Sequence, residues 1–395
     1  MKRICFSVVM AATVAYALPV AAQTAAPKAF PKPLAEEPIP NVVTLPEKYP
    51  ASWIMVHDFN FMALADGRGA VVDVADPVNP LKGMVSIAQF GNVLLSKTKP
   101  EIYTAETYYT RLSRGERTDV ITIWDKANLK PKGEIILPGG KRHQQVTYKN
   151  SFQFTNGEKW ALVSNFTPAQ SVSVVDLEGR KVLSEIDLPG CSLIYPTGPR
   201  GFTTFCADST FSTLQLGEDG KLASTTTSKP ILDIDKQPLF GMPAMVGQTA
   251  WFVSYYGMVK GIDLSGSVAK PVGKDFSVGK AEGGTPEWRP GGWQVITSDA
   301  SGKLYVLMSP SGREGSHKDG GTEVWVLDPA KQARIARIPL QGPAIAIEVT
   351  REAKPRLVAA RVDAVVDVYD AESGAFQHTL GNTVAFNPQT LSVID

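Results

Sequence analysis

The segment Val120-Ile121-Thr122-Ile123-Trp124-Asp125 decides the reading of this chain. Five β-branched or aromatic residues in a row end on an aspartate, and Lys126-Ala127-Asn128 follows as a polar turn. Such a run reads as a strand, and the Asp starts a turn by accepting backbone N–H bonds. The same device recurs earlier as Ala70-Val71-Val72-Asp73-Val74 and later as Ser173-Val174-Val175-Asp176. A degenerate copy, Leu214-Gln215-Leu216-Gly217-Glu218, precedes Gly261-Ile262-Asp263-Leu264, Val324-Trp325-Val326-Leu327-Asp328 and Val366-Asp367-Val368-Tyr369-Asp370. Successive marks lie 52, 51, 42, 45, 65 and 42 residues apart.

Seven marks at a period near 45–50 residues, each with room for about four strands, predict an all-β fold, a seven-bladed β-propeller. One blade cannot bury both its faces, whereas a ring of blades buries them and leaves only short edges. The seven Asp-type marks are therefore structural. The long interval before Asp328 predicts insertions, with 265–287 and 309–321 as polar loops. The run Gln389 to Val393 is expected to pair into the first blade and close the ring.

Composition agrees. Of 395 residues, 43% are hydrophobic and 20% charged, as in an ordinary globular protein. With 34 Gly and 29 Pro, turns are frequent and a helical bundle is disfavoured. Forty basic side chains balance 39 acidic ones, so no basic field exists to hold nucleic acid.

Residues 1–22 read as a secretory signal peptide: Lys2 and Arg3, an apolar run, then Val20-Ala21-Ala22. The apolar run is shorter than the roughly 20 residues that span a bilayer. The expected mature protein is exported, periplasmic and not membrane-bound. Cleavage takes the net charge from +1 to −1, with 38 basic against 39 acidic side chains. It leaves only Cys191 and Cys206, which in an oxidising compartment are expected to pair and close a loop of 16 residues. Residues 23–48 read as a Pro-rich arm and 49–395 as the propeller.

Candidate chemistry is sparse. His57, His143, His317 and His378 are isolated, with no HxH or HExxH spacing, so no metal site is expected. No GxSxG elbow or Walker loop is present, and no catalytic residue is expected on this chain. Two segments stand apart from plain blade. Trp288-Arg289-Pro290-Gly291-Gly292-Trp293-Gln294 sets a tight turn between large aromatics, and Arg111-Leu112-Ser113-Arg114-Gly115-Glu116-Arg117-Thr118-Asp119 is a polar hairpin with three Arg. Arg111, Arg114, Trp288, Arg289 and Trp293 are of the residue types that anchor interfaces.

These segments resemble the heavy chain of the tryptophan tryptophylquinone amine dehydrogenases, the methylamine and aromatic amine dehydrogenase family. The resemblance rests on Tyr109 through Asp119, Pro168-Ala169 with Val174 through Gly179, Cys191 and Cys206, and Leu216 through Lys221. It continues through Val253-Ser254-Tyr255-Tyr256-Gly257, Trp288 through Gln294, Gly315-Ser316-His317-Lys318, Glu323 to Asp328 and Asp370 through Gly374. It implies a seven-bladed propeller and an α2β2 heterotetramer in the periplasm. The tryptophan tryptophylquinone would sit on a separate small subunit. The implied reaction is oxidative deamination of a primary amine to aldehyde and ammonia, with electrons passing to a type I copper protein or a cytochrome. Phe90, in Gln89-Phe90-Gly91-Asn92, matches the family phenylalanine that lines the substrate channel. Segments of both branches occur, so the resemblance implies a primary amine without choosing between methylamine and an aromatic amine.

Overall fold

The computed structural model describes residues 44–59, 66–278, 287–381 and 384–394. The expected signal peptide and most of the Pro-rich arm lie outside them. Two short 3-10 turns, Lys149–Ser151 and Ser316–Lys318, are the only helical elements described. All other regular structure is antiparallel sheet.

The first sheet runs in the order Pro388–Val393, Trp53–Asp58, Asp66–Asp73, Leu81–Ala88. Its first strand thus comes from the far end of the chain, as the sequence led us to expect. Ile54 pairs with Val393 and Val56 with Leu391. Buried Asp58 fixes the approach by accepting the backbone N–H groups of Phe386 and Asn387 at 2.9 and 3.1 Å. Four further four-stranded sheets follow, beginning at Asn92–Leu95, Phe152–Thr155, Cys191–Thr197 and Ala244–Val246.

The rest of the chain forms one eight-stranded sheet. Seven separate blades are therefore not what the sheets show; five four-stranded blades stand alone. The physical reason is the 17-residue strand Ala333–Val349. Its first half pairs with Gly321–Asp328 and its second half with Arg356–Arg361, joining the marks Asp328 and Asp370 in one sheet. A second correction concerns 265–287: Lys270–Ser277 is a strand on the outer edge of its sheet, paired with Met258–Asp263.

The core lies between sheets. Ile54, Val56 and Val72 of the first sheet pack with Val358, Val366 and Val368 of the last, which closes the β-propeller ring. Ile121 and Ile135 meet Phe152 and Val163, and Leu162 and Val174 meet Ile194 and Phe202. Leu45, just before the propeller, is buried with Tyr49, Trp53 and Ile102, and its N–H donates to Ala127 O at 2.8 Å.

Six of the seven marks end the third strand of their unit and Glu218 follows two residues after its strand, so the marks share one rim of the ring. Their carboxylates serve turns: Asp125 Oδ1 accepts from Ala127 N and Asn128 N at 2.9 and 3.0 Å. Asp176, Asp328 and Asp370 repeat the arrangement. The opposite rim carries the hairpins between second and third strands and the crossovers between units. We call the two the Asp rim and the loop rim.

Candidate functional site

The loop rim holds a cavity of about 640 Å³ at the ring axis, lined by Val146, Tyr148, Phe240, Tyr255, Trp293 and His317 among others. Each arrives from a crossover or hairpin at that rim. Gly292 (φ 139°) makes the turn that presents Trp293; a Cβ there would stand 2.7 Å from Ile345 O. The Trp293 indole N–H donates to Thr147 O at 3.0 Å, and its ring lies 4.6 Å from that of Tyr148. Tyr255 stacks on His317 at 4.2 Å and packs against Phe240 at 4.5 Å.

Among the described lining residues the one charged side chain is Lys318. Burial pushes the Tyr148 and Tyr255 phenols up, so both stay protonated at neutral pH. Burial, then the nearby Lys318 charge, pulls His317 below the ordinary imidazole range, which keeps it neutral. No carboxylate is among the described lining residues. Such a vestibule can admit and orient an organic molecule with an apolar body, and the neutral His317 imidazole is a side chain in its lining that can accept a proton.

Around this mouth the loop rim exposes large apolar side chains. Leu112 is 79% exposed at the hairpin tip and Phe386 is 63% exposed beneath Arg68, whose guanidinium carbon sits 4.6 Å from the ring centre. Tyr108 on the same hairpin, and Phe166 and Val362 on others of this rim, add to them. Arg111 and Arg114 face each other across the last rung of the hairpin ladder, both exposed, and neither forms an ion pair among the described residues. Like charges placed opposite each other on a ladder are unfavourable until something compensates them.

The structure separates two residues that the sequence placed in one motif. Trp293 is in the axial wall. Trp288 instead packs on Trp325 at 5.4 Å, with Arg337 above it at 4.9 Å. Arg289 pairs with Glu287 at 3.0 Å and covers Tyr256 at 4.6 Å. Phe90 lies at the loop rim in a left-handed conformation (φ 56°), its carbonyl accepting from Arg142 Nη1 at 3.2 Å. It is not in the wall of the axial cavity. Its neighbour Gln89 lines a smaller one of about 320 Å³ with Tyr109, Leu112 and Gln144.

Cys191 and Cys206 face each other on adjacent strands and are joined by a disulfide, with Cα atoms 3.9 Å apart. Among the described residues no group of three or more His, Cys, Asp or Glu is arranged to hold a metal ion. None of the described helices is long and apolar enough to cross a membrane. Sequence reasoning did not select Tyr148 and Phe240, which lie in crossovers without a local pattern. Tyr255 and His317 stood in segments carrying the family resemblance, which was their only signal.

Comparison with known proteins supports that resemblance. Residues 54–395 match the family model for the methylamine dehydrogenase heavy chain. The methylamine dehydrogenase heavy chain of Methylorubrum extorquens is 30% identical over 297 residues, 74% of this chain and 71% of that one. The heavy chain of Paracoccus versutus is 30% identical over 274 residues, 68% of this chain and 63% of its own length. Among solved structures, dihydro-heme d1 dehydrogenase superposes with a TM-score of 0.53 at 15% identity, covering 88% of this chain and 76% of that one. A Bacteroides fragilis protein assigned provisionally as a 6-phosphogluconolactonase gives 0.58 at 12% identity, covering 87% of this chain and 98% of that one. At such identities these two speak to the fold alone.

Proposed function

We propose how this chain acts from the family it belongs to, that of the methylamine dehydrogenase heavy chain, matched over residues 54–395. It is a heavy subunit of an amine dehydrogenase. We infer that its partner is a small subunit carrying tryptophan tryptophylquinone, assembled as an α2β2 heterotetramer in the periplasm. Bound on that partner, the quinone would supply the two-electron oxidation that turns a primary amine into aldehyde and ammonia. The electrons would pass on to a type I copper protein or a cytochrome.

The single observation that carries the division of labour is the loop rim. An aromatic mouth with no carboxylate among its described lining residues opens among exposed Leu112, Phe166, Val362 and Phe386. A small subunit seated there would bury these side chains, each gaining roughly 25 cal/mol per Å² removed from water. Its acidic groups could also meet Arg111 and Arg114. This chain's own part is then to exclude water and orient the amine. Phe90 at the same rim is read as the channel ring that sets which amine passes.

The eight-stranded sheet is read as two blades joined by Ala333–Val349, which gives seven units in the ring. Support comes from the seven marks, six of them ending a third strand and Glu218 two residues past one. Co-purification tests the whole reading: the chain isolated natively should bring a small chain whose visible band bleaches on adding methylamine or 2-phenylethylamine. A colourless chain isolated alone would contradict it.

A further inference from the structure

The turn that carries Phe90 runs against the ordinary preference of its residue. Gly91 N donates to Ala88 O at 2.8 Å, which closes a β-turn with Phe90 in its third position. Phe90 has φ 56° there, and a positive φ in that position is normally left to Gly or Asn. The turn is also tight at Gly91, where a Cβ would stand 2.9 Å from Ala88 O. A large ring on a left-handed residue persists only where its surroundings fix the backbone.

Here they fix it from several sides. Ala88 N donates to the buried Glu106 carboxylate at 2.9 Å, Thr147 Oγ1 to Gly91 O at 3.2 Å, and Asn92 Nδ2 to Tyr148 O at 2.8 Å. The carbonyl of Phe90 itself accepts from Arg142 Nη1 at 3.2 Å. Arg142 is 2% exposed. It lies on the crossover from the sheet that starts at Asn92 to the one that starts at Phe152.

Arg142 is clamped at its backbone and behind its head. Asp119 Oδ2 accepts from Arg142 N at 2.9 Å, and Arg117 Nη2 donates to Arg142 O at 2.7 Å. Arg142 Nε donates to Thr107 Oγ1 at 2.9 Å, and that hydroxyl donates to Asp119 Oδ1 at 2.7 Å. Ion pairing does not account for the guanidinium. The Asp119 carboxylate pairs with Arg117 instead, and no carboxylate among the described residues pairs with the Arg142 head. Its Nη2 is buried with no hydrogen-bond partner among the described residues. Burial pulls its pKa down to about 10 and Asp119 opposes that pull, so it stays a cation at neutral pH. A buried charge with an idle donor is costly. What the head does hold is the Thr107 hydroxyl behind it and the Phe90 carbonyl in front.

We propose that Arg142 is a positioning residue for amine selectivity: by holding the Phe90 carbonyl it fixes the left-handed turn, and with it the place of the Phe90 ring at the loop rim. The proposal rests on the reading of Phe90 as the channel ring. Arg142 acts through Phe90 and not by contact with the amine. Its fork reaches Thr107 and Phe90 together, which a lysine with one terminal nitrogen does not reproduce.

The assembled enzyme tests this with Arg142→Lys, Phe90→Ala, the two combined, and Thr107→Val, which keeps the arginine and removes the hydroxyl behind it. The readouts are hydrogen exchange of the peptide spanning residues 86–92 and the ratio of kcat/KM for methylamine and 2-phenylethylamine. Arg142→Lys and Thr107→Val should each speed exchange in that peptide by about tenfold or more. Each should also shift the ratio in the direction of Phe90→Ala by about threefold or more, whereas Arg142→Lys should add no shift once Phe90 is alanine. A general loss of stability would lower both rates together and leave the ratio alone. Unchanged exchange or an unchanged ratio in Arg142→Lys, or in Thr107→Val should the lysine variant fail to fold, would overturn the proposal and leave Phe90 in the channel. So would a full shift from Arg142→Lys in the Phe90→Ala background. A ratio that Phe90→Ala itself does not move would overturn the reading of Phe90 and this proposal with it.

Discussion

Gln294 holds Leu391 from both sides of its peptide. Its Oε1 accepts from Leu391 N at 2.8 Å and its Nε2 donates to Leu391 O at 3.0 Å. The same Nε2 lies 2.9 Å from Ile347 O. One buried amide therefore ties three chain segments at the axis, including the closing strand from the C-terminus.

Gln294→Leu should lower the unfolding free energy by about 1–3 kcal/mol, the cost of leaving buried backbone groups of Leu391 unsatisfied. Removal of residues 385–395 should cost far more, since it exposes the Trp53–Asp58 edge and opens the ring between Val56 and Val358. Thermal melts of both variants check this. An unchanged melting temperature after the truncation would show that the ring does not depend on its closing strand.

His57 makes stability depend on pH. It is buried, its Nε2 has no partner, and burial followed by the Lys149 charge pulls its pKa from 6.5 to about 3. Above pH 6.5 both folded and unfolded chains hold it neutral, and it contributes no slope. Below that, the unfolded chain takes a proton that the folded chain refuses. Stability then falls by about 1.4 kcal/mol per pH unit. Between pH 6.5 and 5 the loss is about 2 kcal/mol, and urea unfolding at the two pH values should show this much less pH dependence in His57→Met. Identical slopes in both proteins would remove His57 from the account.

Phe90→Ala should shift the ratio of kcat/KM for methylamine and 2-phenylethylamine by about tenfold, because a ring at the rim would flank the amine's path between this chain and a small subunit seated there. Steady-state rates of the assembled enzyme with each amine supply the ratio. A constant ratio would mean that the ring at this rim does not see the substrate.

Arg111→Glu with Leu112→Asp should weaken assembly with the small chain by about tenfold or more, while the melting temperature of the isolated heavy chain stays within a degree or two. Both side chains are exposed at the hairpin tip, and surface changes of this sort rarely move stability by more than about 0.5 kcal/mol. Analytical size exclusion of the two chains reads the assembly. Full retention of the complex would place the partner elsewhere.

The repeat was legible because its mark is local: an Asp ending a strand satisfies two turn N–H groups within three residues, as Asp125 and Asp370 do. The joining strand was not. Pro339 and Gly342-Pro343 are of the residue types that interrupt strands, yet register irregularities between Pro339 and Ala344 and between Ala344 and Ala346 let Ala333–Val349 run through them from one partner strand to the next. Lys270–Ser277 read as a loop because an outer strand facing water has few apolar residues to show a period. The aromatic mouth was legible only in part. Trp293 announced itself between glycines, whereas Tyr148, Phe240 and His317 meet it from segments more than 20 and up to 145 positions away, a proximity that no local pattern records.

The most direct measurement is native isolation of this chain from the cells that make it, followed by intact mass and visible absorption of the eluate. The account predicts equal amounts of this chain and a small partner of roughly 100–150 residues, domain-sized by ordinary standards, with a quinone band that bleaches when a primary amine is added. A single colourless chain, or a partner whose spectrum ignores the amine, would contradict it.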